Sequence, residues 1–251
     1  MFEECRLPPL FRLMPLEPGA DVAAETRREA DADADPGTVL CAAREDMLDC
    51  AIVLHPEVPL EQAQLALYVA ALGIGDALAT VAPPMFEVSF FWPNRIDANL
   101  GSVAKIDLLR PDAARPGSVP DWLAVHLIAM VGPLLEEGVR QDFPQTSLRD
   151  EGCAELTVVE LLETFTRHFL TWTYRWQDEG FEPVRAMWLS RAPSHGEAIE
   201  ITVGGRRLKG KFEGIDADGA LILVRKRKKL RIGLDDALAD RVLSPANIKE
   251  R

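Results

Sequence analysis

The chain has 251 residues, 47% of them hydrophobic, enough to bury one large core and a second small one, which excludes a disordered protein. Its net charge of −12 hides an asymmetry: residues 1–200 hold 15 Lys+Arg against 33 Asp+Glu, or −18, whereas residues 201–251 hold 13 against 7, or +6. The acidic balance argues against nucleic acid, no uninterrupted apolar run of about 20 residues announces a membrane span, and acidic Glu3 and Glu4 are unlike a cleavable leader, so a cytoplasmic protein is expected.

Along the chain, residues 20–35 are rich in Ala, Asp and Glu, lack a strong apolar stripe and stop at Pro36-Gly37, which predicts a solvated helix. Residues 38–43 and 50–54 are short β-prone runs joined by the charged link Arg44-Glu45-Asp46, and read as adjacent strands. Pro59 suits a first helical turn, and Leu65, Val69 and Leu72 recur at helical spacing up to about Thr80, so a core helix is expected there. Residues 86–91 and 102–109 have strand composition, with residues 94–101 as a polar turn between them. The nearly continuous apolar run 122–131 suits a strand buried on both faces, though a short buried helix has the same signature. Residues 158–177 carry the longest helical pattern, with Leu161, Leu162, Phe165, Phe169, Trp172 and Trp176 on one stripe and Gly180 closing it. After a linker at residues 191–196, β-prone runs 199–203, 208–215 and 220–224 with glycine turns predict a small β-barrel.

At Trp92-Pro93-Asn94 the sequence resembles the biotin/lipoate protein ligases, which carry Trp-Pro-Asn-Asp after an apolar strand. The likeness continues in order through Gln145-Thr146-Ser147-Leu148, the long helix, a Gly-Phe-x-Pro-like turn at Gly180-Phe181-Glu182-Pro183, and Trp188. It ends in Lys211-Phe212-Glu213-Gly214-Ile215-Asp216 with Asp218-Gly219-Ala220-Leu221, similar to the hairpin of that family's C-terminal domain. The resemblance implies a mixed α/β (α+β) ligase-like domain over residues 1–191 and an SH3-like β-barrel over residues 197–251. It further implies an ATP-dependent ligase using biotin or lipoate through an adenylate, and a biotinyl- or lipoyl-type carrier domain as partner. Carried over position by position, it makes Trp92, Pro93, Asn94, Arg95 and Ser102 ligand-binding candidates.

The departures fall on the chemistry. The family's Gly-Arg-rich loop, whose amides and guanidiniums would hold phosphates, is replaced by residues 44–49, REDMLD, without a glycine and with three acids. The expected lysines are Phe91 and Ser102, the aspartate after Asn94 is Arg95, and a Gly-x-Gly-x-Asn strand reads Val125-His126-Leu127-Ile128-Ala129. Lys105, the only lysine before Lys209, is the catalytic substitute on offer. Its odd offset from Ser102 turns it to the opposite strand face unless a bulge intervenes; otherwise it is a solvated lysine on the hairpin. Two functions follow: a divergent, non-catalytic or atypical member binding a carrier protein or small acyl or nucleotide ligand, or an active ligase with a site rearranged around Lys105.

Other residues invite plainer readings. Cys5, Cys41, Cys50 and Cys153 lack metal or disulfide spacing and are expected as free thiols, and no metal site is expected from His55, His126, His168 and His195. His126 reads as a hydrogen-bonded core histidine, and Trp172, Tyr174 and Trp176 as packing. The basic run Arg225-Lys226-Arg227-Lys228-Lys229 reads either as a solvated hairpin or, through Lys226, Arg227, Lys228 and Lys229, as a docking face for an acidic carrier or an anionic ligand.

Overall fold

The computed structural model describes residues 1–132 and 146–239. Seven strands form one sheet in the order β1-β2-β3-β7-β6-β5-β4: β1 (Arg12–Leu16), β2 (Thr38–Ala42), β3 (Met47–Leu54), β4 (Val88–Phe91), β5 (Arg95–Ala98), β6 (Gly101–Leu109) and β7 (Leu123–Met130). Only β1 and β2 pair in parallel. The expected strands at residues 38–43, 50–54, 86–91, 102–109 and 122–131 are present, and the expected core helix is led by α2 (Leu60–Ala63), a single helical turn running into α3 (Ala66–Val81).

One face of the sheet is covered by α3 and by α4 (Val158–Glu179), whose stripe Leu161, Leu162, Phe165 and Phe169 enters the main core. The two helices approach closely because α3 presents Gly73, where an added Cβ would stand 3.0 Å from the Phe169 backbone. Thr157 caps α4 by accepting from the Glu160 N–H at 3.1 Å, and Gly180, at φ 78°, ends it. The stretch Leu60–Val81 has the length and hydropathy of a membrane span, but 78% of its apolar window is buried in this core.

The other face is divided. Helix α1 (Val22–Asp31), capped by Asp21, lays Val22, Thr26 and Ala30 over Leu40, Ala42, Ala51 and Val53, so the expected solvated helix has one buried stripe. The rest of that face is polar and is described below.

Two predicted turns are regular elements instead. Residues 94–101 contain β5, which pairs with both β4 and β6; Ile96 and Ala98 are buried, and only Asn99 and Leu100, both at positive φ, make the turn. The Gly-Phe-x-Pro segment turns only at Gly180, and α5 (Phe181–Ser190) begins at once, with Pro183 in its first turn where a missing N–H costs nothing.

The C-terminal part is a four-stranded antiparallel sheet in the order β11-β10-β9-β8, built from β8 (Ala198–Val203), β9 (Arg206–Ile215), β10 (Leu221–Arg225) and β11 (Lys228–Ile232), followed by α6 (Leu234–Ala239). It docks through a buried hydrogen-bond knot. Tyr68 on α3 donates its hydroxyl to the Gly219 carbonyl, and the Trp92 indole N–H reaches Tyr68 Oη at 2.9 Å and the same carbonyl at 3.3 Å. Arg185 adds a bond to the Ile215 carbonyl at 3.2 Å.

Candidate functional site

The polar half of the sheet is generated by strand register. Asp49 on β3 faces Ile128 on β7, Ile128 faces Lys105 on β6, and Lys105 faces Arg95 on β5, so these four share one row and one face. In the next row Asp107 faces His126. On the other side, Asp97 faces Ser102 and Ser89.

A β-bulge decides which residues belong here. The β5–β6 register slips between Ile96 and Asp97, so that Ile96 faces Ala104 while Asp97 faces Ser102, and Val103 is the extra residue. Val103 and Ala104 both point into the helix-covered core. Ser102 and Lys105 are thereby returned to the same face, contrary to what their odd spacing implies for a regular strand.

The charges on this face are paired. Lys105 Nζ lies 2.9 Å from Asp107, which also accepts from Asn94 Nδ2 at 2.9 Å. His126 Nε2 lies 2.7 Å from Asp49 Oδ1, with both side chains largely buried, so the expected core histidine has a carboxylate partner. Arg95 stacks over the Phe91 ring at 4.1 Å and approaches Asp97 at 3.0 Å, without the alignment of a hydrogen bond. Burial raises the Asp97 carboxyl above the ordinary range, with Arg95 and Ser102 pulling the other way.

Where the resemblance calls for a phosphate-binding loop there is a four-residue link between β2 and β3. Its Arg44 is clamped by Asp46 in two bonds of 2.9 and 2.6 Å, which holds the Asp46 carboxyl below its usual range. The Asp46 carbonyl in turn accepts from Val131 and Gly132, fixing the link to the end of β7.

In one patch Asn94 Oδ1 is buried without a hydrogen-bond partner among the described residues, at a cost on the order of 1–3 kcal/mol, and Ser102 Oγ and the Arg95 Nε–Asp97 Oδ1 ion pair beside it are buried without an aligned hydrogen bond, which marks the patch as suited to a polar group. Thr146 packs over it, its N–H bonded to the Ser102 carbonyl at 3.3 Å, and Ser147 is buried against Asp150 at 2.6 Å; Gln145 lies outside the described residues.

Of the candidate residues, Asn94, Arg95, Ser102 and Lys105 thus share one face. The Trp92 indole N–H bonds Tyr68 and Gly219, and Pro93 follows it through a cis peptide bond. Lys226 and Arg227, at φ 48° and 64°, form the exposed turn between β10 and β11, and Lys229 pairs with Glu213 at 2.6 Å, so the basic run is an exposed hairpin. Asp97 and Asp107 carry no signal in the sequence beyond an acid inside a β-prone run, and Asp49, read there as an acid of the 44–49 link, lies on β3. Among the described residues no group of His, Cys, Asp and Glu could hold a metal ion.

Over residues 7–190 the chain matches the biotin/lipoate A/B protein ligase family, and over residues 194–233 the biotin protein ligase C-terminal domain. It is 36% identical over 176 residues, covering 68% of this chain and 71% of its relative, to a Paracoccus denitrificans protein named biotin–[acetyl-CoA-carboxylase] ligase. Among solved structures, a biotin protein ligase-like protein of unknown function from Silicibacter sp. superposes with a TM-score of 0.83 at 32% identity, covering 92% of this chain and 97% of that one. A mutant biotin protein ligase from Aquifex aeolicus bound to biotin gives 0.72 at 20% identity over 90% and 97% of the two chains, a likeness of fold.

Proposed function

The chain belongs to the biotin/lipoate A/B protein ligase family, and we propose that it binds a small acyl ligand or a carrier domain without activating the ligand as an adenylate. The observation that supports this is the pairing of charge: Arg95 with Asp97, Lys105 with Asp107 and Arg44 with Asp46. Adenylation develops negative charge on phosphate and carboxylate and needs preorganised cations that are not already neutralised. On β7 the positions where the resemblance calls for Gly-x-Gly-x-Asn hold Val125, Leu127 and Ala129, which face the helix-covered core, while the polar face carries His126, Ile128 and Met130.

What the patch offers is a mixed set of donors and acceptors at Asn94, Arg95, Asp97 and Ser102, suited to a neutral polar group such as the ureido ring of biotin. The same reading takes residues 1–191 and 197–251 as the two domains, a cytoplasmic setting, and an acidic biotinyl- or lipoyl-type carrier as the partner facing Lys226, Arg227 and Lys228. The test is calorimetry of the full chain with biotin, lipoate and octanoate, with and without ATP, alongside pyrophosphate release. Binding of an acyl ligand independent of ATP, with no pyrophosphate, is expected; acyl-dependent pyrophosphate release would overturn the reading.

The bulge at Val103 favours a second reading, an active ligase in which Lys105 supplies the missing charge from the pocket face. It requires that pyrophosphate release be present in the wild type and abolished in Lys105→Ala.

A further inference from the structure

Where β6 ends, the chain keeps cations that no carboxylate among the described residues pairs with. A concavity of about 270 Å³ opens where β6 ends, lined by Arg27 of α1 and by Arg110, Asp112 and Arg115 of the segment that follows. Arg27 bonds to the Arg110 carbonyl at 3.3 Å, and Arg115 to the Asp112 and Ala114 carbonyls at 2.7 and 2.9 Å. Among the described residues neither has a carboxylate within ion-pair range. Arg110 has one, Asp235 of α6, at 2.9 Å, with both side chains about one-third exposed.

A second concavity of about 140 Å³ shares Leu108 and Arg110 with the first and runs beneath α6 between Leu60, Leu123 and Leu238. Gln64 also lines it. This residue is only 5% exposed, and its Oε1 is buried with no hydrogen-bond partner. The two spaces adjoin at Leu108 and Arg110 around the end of β6: three arginines beside Asp112 on one side, and leucines, Asp235 and the unmatched Gln64 acceptor on the other.

We infer that these adjoining concavities bind a small organic anion, with its carboxylate or phosphate head at Arg27, Arg110 and Arg115 and an apolar body bearing a hydrogen-bond donor reaching Gln64. Guanidiniums fixed by backbone carbonyls are pre-set for such oxygens, and the apolar body accounts for the leucine walls. Asp235 occupies Arg110 in the ligand's place, so the anion competes with α6 for that arginine. Binding is thereby coupled to how firmly the C-terminal segment sits on the sheet.

The test is calorimetry of the full chain with inorganic phosphate, hexyl phosphate and hexanoate at constant ionic strength. Saturable binding of hexyl phosphate or hexanoate is expected, about tenfold or more tighter than inorganic phosphate because the chain buries apolar surface; the tighter of the two identifies the head group. Arg27→Gln/Arg115→Gln should weaken it about tenfold. Asp235→Asn, which removes the internal competitor, should strengthen it several-fold, and this arm remains informative if the double variant folds poorly. No saturable binding, or binding indifferent to all of these substitutions, would overturn the assignment.

Discussion

Trp92→Phe separates two roles for the residue that most strongly carries the family resemblance. The substitution keeps an aromatic ring beside the C-terminal sheet and deletes one N–H, which is shared between Tyr68 Oη at 2.9 Å and the Gly219 carbonyl at 3.3 Å. The Tyr68 hydroxyl still satisfies that carbonyl, so no buried acceptor is stranded and the loss is that of a single neutral bond, about 0.5–1.5 kcal/mol. For a chain of this size the melting temperature should fall by about 2–4 °C per kcal/mol. Tyr68→Phe removes the stronger donor and leaves Gly219 with only the long indole contact, so it should cost more, about 1–3 kcal/mol. Because both act on one carbonyl, the double variant should depart from the sum by about 0.5 kcal/mol or more. Differential scanning calorimetry gives the stabilities, and isothermal titration gives the affinity for whichever acyl ligand binds. If Trp92→Phe leaves the melting temperature unmoved while weakening that ligand tenfold, the indole serves the ligand and the interdomain reading fails.

Three further outcomes follow from packing and titration. Gly73→Ala places a methyl 3.0 Å from the Phe169 backbone, which cannot swing aside as a side-chain tip would; the strain of about 1–3 kcal/mol exceeds the helix-propensity gain of up to about 1, so urea unfolding should show a net loss. Burial pushes the Cys41 and Cys50 thiols up, so they stay protonated in the fold while the unfolded chain ionises; their contribution is intact below about pH 9 and is lost above it by up to about 1.4 kcal/mol per pH unit per thiol, seen as steepening alkaline unfolding that Cys41→Ala/Cys50→Ala relieves. The raised Asp97 carboxyl contributes stability that is complete below the ordinary carboxylate value and fades as pH rises through its folded value. Asp97→Asn should therefore gain on the wild type in melting temperature between acid and neutral pH; a constant difference would show that Asp97 ionises as it does in the unfolded chain.

Much of the fold was legible because it rests on local signals. The stripe of α4, Gly180 at its end and the two-sided apolar run of β7 each state their own structure. β5 was hidden because Arg95 and Asp97, flanked by Asn94 and Asn99, make its composition that of a turn, while the reason it pairs lies in β4 and β6. The site was half legible for a related reason. Asn94, Arg95 and Ser102 were found by resemblance, but Asp49, Asp107 and His126 are gathered by strand register across three strands, which no single segment announces. The same limit hid the side of Lys105, since a bulge is a property of the pair of strands and not of either one.

Charge placement links the polar face and the end of β6. An active adenylating site would concentrate unneutralised cations where the acyl carboxylate and phosphate meet. Here that face keeps Lys105 and Arg95 but gives each an acid, while Arg27 and Arg115 have only carbonyl partners among the described residues. In a chain of net charge −12, solvent-borne anions are repelled from most of the surface, so a concavity lined by three arginines draws them by contrast. The consequence is directional: raising salt should weaken organic-anion binding at Arg27, Arg110 and Arg115 far more than it weakens a neutral ligand at Asn94 and Asp97, because only the first depends on net charge. Two ligand isotherms, one strongly salt-sensitive and one nearly insensitive, on one protein, are what this arrangement requires.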